Sequence, residues 1–132
     1  MAYSTVPAKE YEYGTIKATA GTGGVTEGTF VAYSADTGVA TTATAGALNV
    51  GICMETASAG GQTSVKFIGL ALLSCDGTTA IAVGDGLDPT TGGVGIKAAT
   101  DTDVINAVAL GALASGTGKI LVRVGGVFTL SV

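Results

Sequence analysis

Asn49–Ser74 aligns without a gap on Asn106–Ser131, at an offset of 57 residues. Eight of the 26 pairs are identical: Asn49/Asn106, Ala57/Ala114, Ser58/Ser115, Gly61/Gly118, Val65/Val122, Gly69/Gly126, Leu73/Leu130 and Ser74/Ser131. Lys66/Arg123 and Leu70/Val127 are conservative, and upstream Glu27-Gly28 corresponds to Asp85-Gly86 at an offset of 58. Two copies are too few for a solenoid, which needs at least three repeats to bury a continuous core. Two strand-rich units closing on one another instead predict an all-β, compact barrel or sandwich built from two similar halves.

The local pattern agrees. Thr29–Ser34 is rich in β-formers. Leu48, Val50, Ile52 and Met54 alternate with Asn49, Gly51 and Cys53, the period of a half-buried strand. Val65, Phe67, Gly69, Ala71 and Leu73 read as one face of a longer strand, and Ile120, Val122 and Val124 repeat the pattern before Val127–Val132. Gly69 and Gly126 fall inside these runs, where a glycine marks a bulge or bend. Turns are expected at 59–61, Asp76-Gly77, Asp85-Gly86 and 91–93. No segment sustains a helical apolar period. Residues 107–114 have some helix propensity, but their place in the repeat favours strand.

Residues 1–20 differ from the rest and are read as an extended arm over 1–14 followed by a first strand near Thr15–Ala20. A single β-domain then occupies 21–132, with repeats at 25–74 and 83–131. The arm holds Tyr3, Pro7, Lys9, Tyr11 and Tyr13. Pro7 favours extended chain, and tyrosines offer large contact area with one polar handle, as interfaces do. The arm residues are therefore candidate partner contacts. Lys66 and Arg123, at matched solvent-pointing positions, are candidates too, for an acidic partner surface; alternatively they are solvated charges that discourage edge pairing.

Composition narrows the chemistry. The chain has 22 glycines, 21 alanines and 20 threonines, 63 of its 132 residues, yet it is 47% hydrophobic and only 12% charged. Disorder goes with the opposite balance, so the chain folds around a core of small side chains, and burial against partners should add stability. A net charge of −4 with six dispersed basic residues argues against nucleic acid, which needs clustered Lys and Arg. The longest apolar stretch, 68–73, is far short of the ~20 residues that span a bilayer. The first residues lack the pattern of a signal peptide. A soluble protein made in a cytoplasm, with no membrane partner, is expected.

No histidine is present, which excludes Ser-His-Asp and Cys-His catalysis and the usual zinc sites. Gly116-Thr117-Gly118-Lys119 resembles the end of a phosphate-binding loop, but Leu113 and Ile120 stand where that motif needs Gly and Ser/Thr. Asp101-Thr102-Asp103 and Asp85-Gly86-Leu87-Asp88 match no calcium loop and are better read as turn caps. Neither catalytic residues, a cofactor nor a metal is expected. Cys53 and Cys75 lie in apolar contexts and read as buried thiols, with a bridge left open.

Several segments together resemble a known family. Ile81-Ala82-Val83-Gly84-Asp85, the run Ala107-Val108-Ala109-Leu110-Gly111-Ala112-Leu113-Ala114-Ser115 and Ile120-Leu121-Val122-Arg123-Val124 look like the C-terminal half of tailed-phage capsid decoration, or cement, proteins. Val50-Gly51-Ile52 before Val65-Lys66-Phe67 echoes this in the first half. The resemblance covers about residues 25–132 and omits the arm. It implies a non-enzymatic virion protein on the outer capsid surface, made in the host cytoplasm, trimeric, and clamping major capsid protein subunits. The rival expectation is a receptor- or glycan-binding β-module such as a head fibre or adhesin domain. That module would need an aromatic platform from Phe30, Tyr33, Phe67 or Phe128.

Overall fold

The computed structural model describes residues 14–47, 50–99 and 105–125. Among these residues, ten strands form two closed five-stranded barrels. The first contains β1 (Thr15–Ala20), β2 (Phe30–Ser34), β3 (Val39–Thr42), β4 (Val50–Cys53) and β5 (Gln62–Lys66), in the order β1-β3-β2-β4-β5. The second contains β6 (Gly69–Asp76), β7 (Gly86–Pro89), β8 (Gly95–Lys97), β9 (Ala107–Ala109) and β10 (Thr117–Val124), in the order β6-β8-β7-β9-β10. The all-β expectation of two similar halves therefore holds, and the halves share one topology. In each barrel the first and third strands run parallel and every other pair is antiparallel.

The registers fix which residues are equivalent. Lys66 lies opposite Thr15 as Arg123 lies opposite Leu70, so Lys66 matches Arg123 and Val65 matches Val122, as sequence identity has it. Further upstream the match slips. Val65 faces Cys53 and Val122 faces Ala109, so Cys53 matches Ala109, one residue off the gapless alignment. The bridges Val25↔Ala57 and Ile81↔Leu113 likewise match Ala57 to Leu113 rather than Ala114. Gly28 and Gly84 donate to the carbonyls of Cys53 and Ala109 at 2.9 and 2.8 Å. Glu27-Gly28 thus corresponds to Val83-Gly84, not Asp85-Gly86. The reason is the period of two: a one-residue slip would turn inward side chains outward, so loops absorb length changes and strands keep phase. The alignment beyond 125 lies outside the described residues.

Two strand readings are corrected by the same logic. Val65 to Leu73 is not one strand face. The chain breaks after Lys66, and β6 starts at Gly69 with φ +119°. A Cβ there would meet only the Lys66 side chain, at 3.8 Å, so it is the backbone angle that calls for glycine. Across this corner Val65 enters the first barrel's core while Ala71 and Leu73 enter the second's. The 50–53 strand is not half-buried but buried on both faces. Cys53 packs inside the first barrel with Val31, whereas Ile52 and Phe30 join the core cluster of the second. A strand covered on both sides loses the polar alternation of a surface strand.

The outer side of β2 and β4 is therefore the contact between barrels. Ser74 N donates to the Gly28 carbonyl at 2.7 Å. Gly93 approaches so closely that a Cβ would lie 2.5 Å from the Phe30 carbonyl oxygen. Cys53 and Cys75 are buried and unbridged, one in each interior.

Candidate functional site

β6 and β10 pair along their full eight residues. Their inward positions, Ala71, Leu73 and Cys75 with Ile120, Val122 and Val124, fill the second barrel. A surface strand should then carry polar residues on its outward phase. Here the outward phase is Leu70 and Leu72 on β6, with Leu121 between Lys119 and Arg123 on β10. Leu72 stands directly opposite Leu121, Leu70 opposite Arg123, and Ser74 opposite Lys119. Leu110, just past β9, donates its N–H to the Leu121 carbonyl at 2.8 Å and extends the patch. Leu70, Leu72, Leu121 and Leu110 are 53%, 55%, 41% and 40% exposed, and Ile68 at the corner is 63% exposed. Covering such half-exposed leucines gains about 1 kcal/mol each.

Cations border this patch. Lys66 Nζ donates to the Leu70 carbonyl at 3.0 Å. Arg123 lies across from the same residue. The matched pair predicted from sequence is thus brought to one end of the patch, beside Leu70. Lys119 marks the other end, where it lines a shallow cleft of about 190 Å³ with Leu72, Met54 and Glu27. Tyr3, Pro7, Lys9, Tyr11 and Tyr13 lie outside the described residues.

The first barrel supplies an internal control. By register, Thr15, Lys17 and Ser64 occupy the positions of Leu70, Leu72 and Leu121, and Gln62 that of Lys119. The same face of the same topology is polar there, so the fold itself does not require leucines. Sequence reading missed them because it assigned outward phases to solvent. The available signal was 70–73, Leu-Ala-Leu-Leu, which is apolar in both phases.

Asp76 and Asp85 act as turn caps, whereas Asp88, read from sequence as part of the same turn, lies within β7. Asp85 Oδ2 accepts from Ala82 N at 2.8 Å and lies 3.5 Å from Lys97 Nζ. Asp76 Oδ1 accepts from the Thr78 N–H and hydroxyl at 2.8 and 2.7 Å, which holds its carboxyl below the usual range. Asp101 and Asp103 lie outside the described residues. Among the described residues no group of three or more His, Cys, Asp or Glu is placed to hold a metal ion.

No family model matches the sequence, and no curated protein matches it. Among solved structures, the chain is similar to the N base of head fibre gp8.5 of bacteriophage phi29. The TM-score is 0.57 at 14% identity, over 84% of this chain and 92% of that one. The two chains share a fold. At this identity the likeness concerns architecture, and it spans nearly the whole of the fibre base.

Proposed function

We propose that the chain is a structural protein of a phage virion that decorates and stabilises the outer surface of the head by binding major capsid protein subunits. The observation that carries this reading is the fold shared with a phage head fibre base. An exposed apolar face with basic borders supports it, because large apolar patches rimmed by polar residues mark binding surfaces. In this reading the chain acts as a trimer. Several modest contacts, including residues 1–13, reinforce one another through effective concentration.

The test uses expanded heads purified from the phage whose genome carries the gene. The chain should co-sediment with heads to a saturating ratio and raise their resistance to heat. Removing residues 1–13 leaves Gly14, whose carbonyl accepts from Phe67 N at 2.7 Å, and should lower occupancy. Full occupancy without them would take that segment out of the mechanism. No binding by the whole chain would refute the reading.

The fibre neighbour also favours a second reading, a base or receptor-binding module of a head fibre. Its glycan-binding form fares worse. Phe30 is fully buried, Tyr33 and Phe67 meet edge to face at 5.8 Å while packing on the first barrel's core, and Phe128 lies outside the described residues. A glycan array would detect binding if that form were correct.

A further inference from the structure

We infer that the outer face of β6 and β10 is the surface by which the chain seats on the head, and that the shell meets it with an apolar strip bordered by carboxylates. The inference rests on the proposed head-binding function and names the site within it. Three observations carry it. The face is apolar where folding does not ask for it, since the equivalent face of the first barrel carries Thr15, Lys17 and Ser64 in place of Leu70, Leu72 and Leu121. The leucines are contiguous, with Leu72 paired to Leu121, and Leu110 bonded to the Leu121 carbonyl. Lys66, Lys119 and Arg123 stand at the borders, three cations against the carboxylate of Glu27 in the Lys119 cleft, in a chain whose net charge is −4.

The borders decide the occupant. A second copy meeting this face about a two-fold axis brings the same patch to itself. Both ends of the patch carry cations, so such a contact sets cations of one copy against cations of the other, and like charges in an interface are costly. A partner whose carboxylates flank an apolar strip satisfies both features at once: its side chains cover the leucines, and its acids meet the cations at the rim. Rim charges act mainly on encounter rate and salt dependence, and the apolar centre on residence time.

The experiment transplants the first barrel's polar face onto the second: Leu70→Thr, Leu72→Lys and Leu121→Ser together. Gln62→Ala with Ser64→Ala on the first barrel serves as control. A second variant, Lys119→Glu with Arg123→Glu, keeps every leucine and guards against loss of folding in the triple variant. Circular dichroism melts establish folding, co-sedimentation with heads gives affinity, and light scattering gives mass. The triple variant should melt within a few degrees of the parent and bind heads more than tenfold more weakly. The charge variant should bind more weakly and lose the parent's salt dependence, and the control should bind as the parent does. Tight binding by the triple variant would overturn the inference while leaving the head-binding function standing. Failure of the unaltered chain to bind heads would overturn both. A drop in mass for the triple variant would make the face a self-contact instead. A rise in apolar dye binding by the unaltered sequence on removing residues 1–13 would make that segment the occupant. Either result overturns the inference.

Discussion

Cys75 points into the second barrel beside Leu73, and burial pushes its thiol from the ordinary 9.0 up to about 11. The folded state therefore favours the neutral thiol. That contribution is complete below pH 9 and is lost as pH rises through about 11, because the unfolded thiol ionises first. Urea midpoints measured from pH 8.5 to 11 should fall, and the fall should be smaller in Cys75→Ala. Iodoacetamide at pH 8 should leave Cys75 unlabelled until the chain unfolds. Asp76, next along, has the opposite sign: its lowered carboxyl contributes above the usual carboxylate range, and the contribution fades as pH falls. Thr78→Val should raise the Asp76 pKa, as read by NMR titration. Both side chains were legible in outline, the cysteine from its apolar neighbours and the aspartate from Asp76-Gly77. Sequence alone could not tell that the two thiols belong to different interiors, since that depends on which way each strand's phase turns.

At the scale of elements, most strands announce themselves. β1 matches the expected Thr15–Ala20, and β2 starts one residue inside the expected run. What sequence did not reveal is where a run of alternating residues changes barrel. Val65 and Ala71 keep the same parity along the chain, yet the turn at Gly69 sends them into separate cores. The repeat was clearest at β5 and β10, where Val65/Val122 and Lys66/Arg123 preserve identity and charge. It was misaligned at β4 and β9, where only small inward residues, Gly51 and Cys53 against Ala107 and Ala109, are equivalent. The turn between β7 and β8 supplies a test of the contact between barrels. Gly93 has φ +74°, and its Cβ would strike the Phe30 carbonyl. Gly93→Ala should cost at least about 1–2 kcal/mol from the left-handed backbone alone. Denaturant unfolding should show a larger loss, because the Phe30 backbone must also retreat.

For the molecule as a whole, Phe30 and Ile52 are the hinge of stability: they belong to the first barrel's strands and to the second barrel's core. Phe30→Ala should cost about 3–5 kcal/mol. It should destabilise both halves together, seen as one lowered thermal transition. Residues 14–66 expressed alone would expose that apolar face and should aggregate. The run at 70–73 hinted at the leucine face, but only with two barrels side by side does the polar counterpart show that folding does not call for those leucines. Ring closure has its own consequence. Every described strand has a neighbour on both sides, so neither sheet ends in a free edge strand. Closure thus withholds the free edge strand along which crowded molecules would zip into fibres, and attachment falls chiefly to side chains.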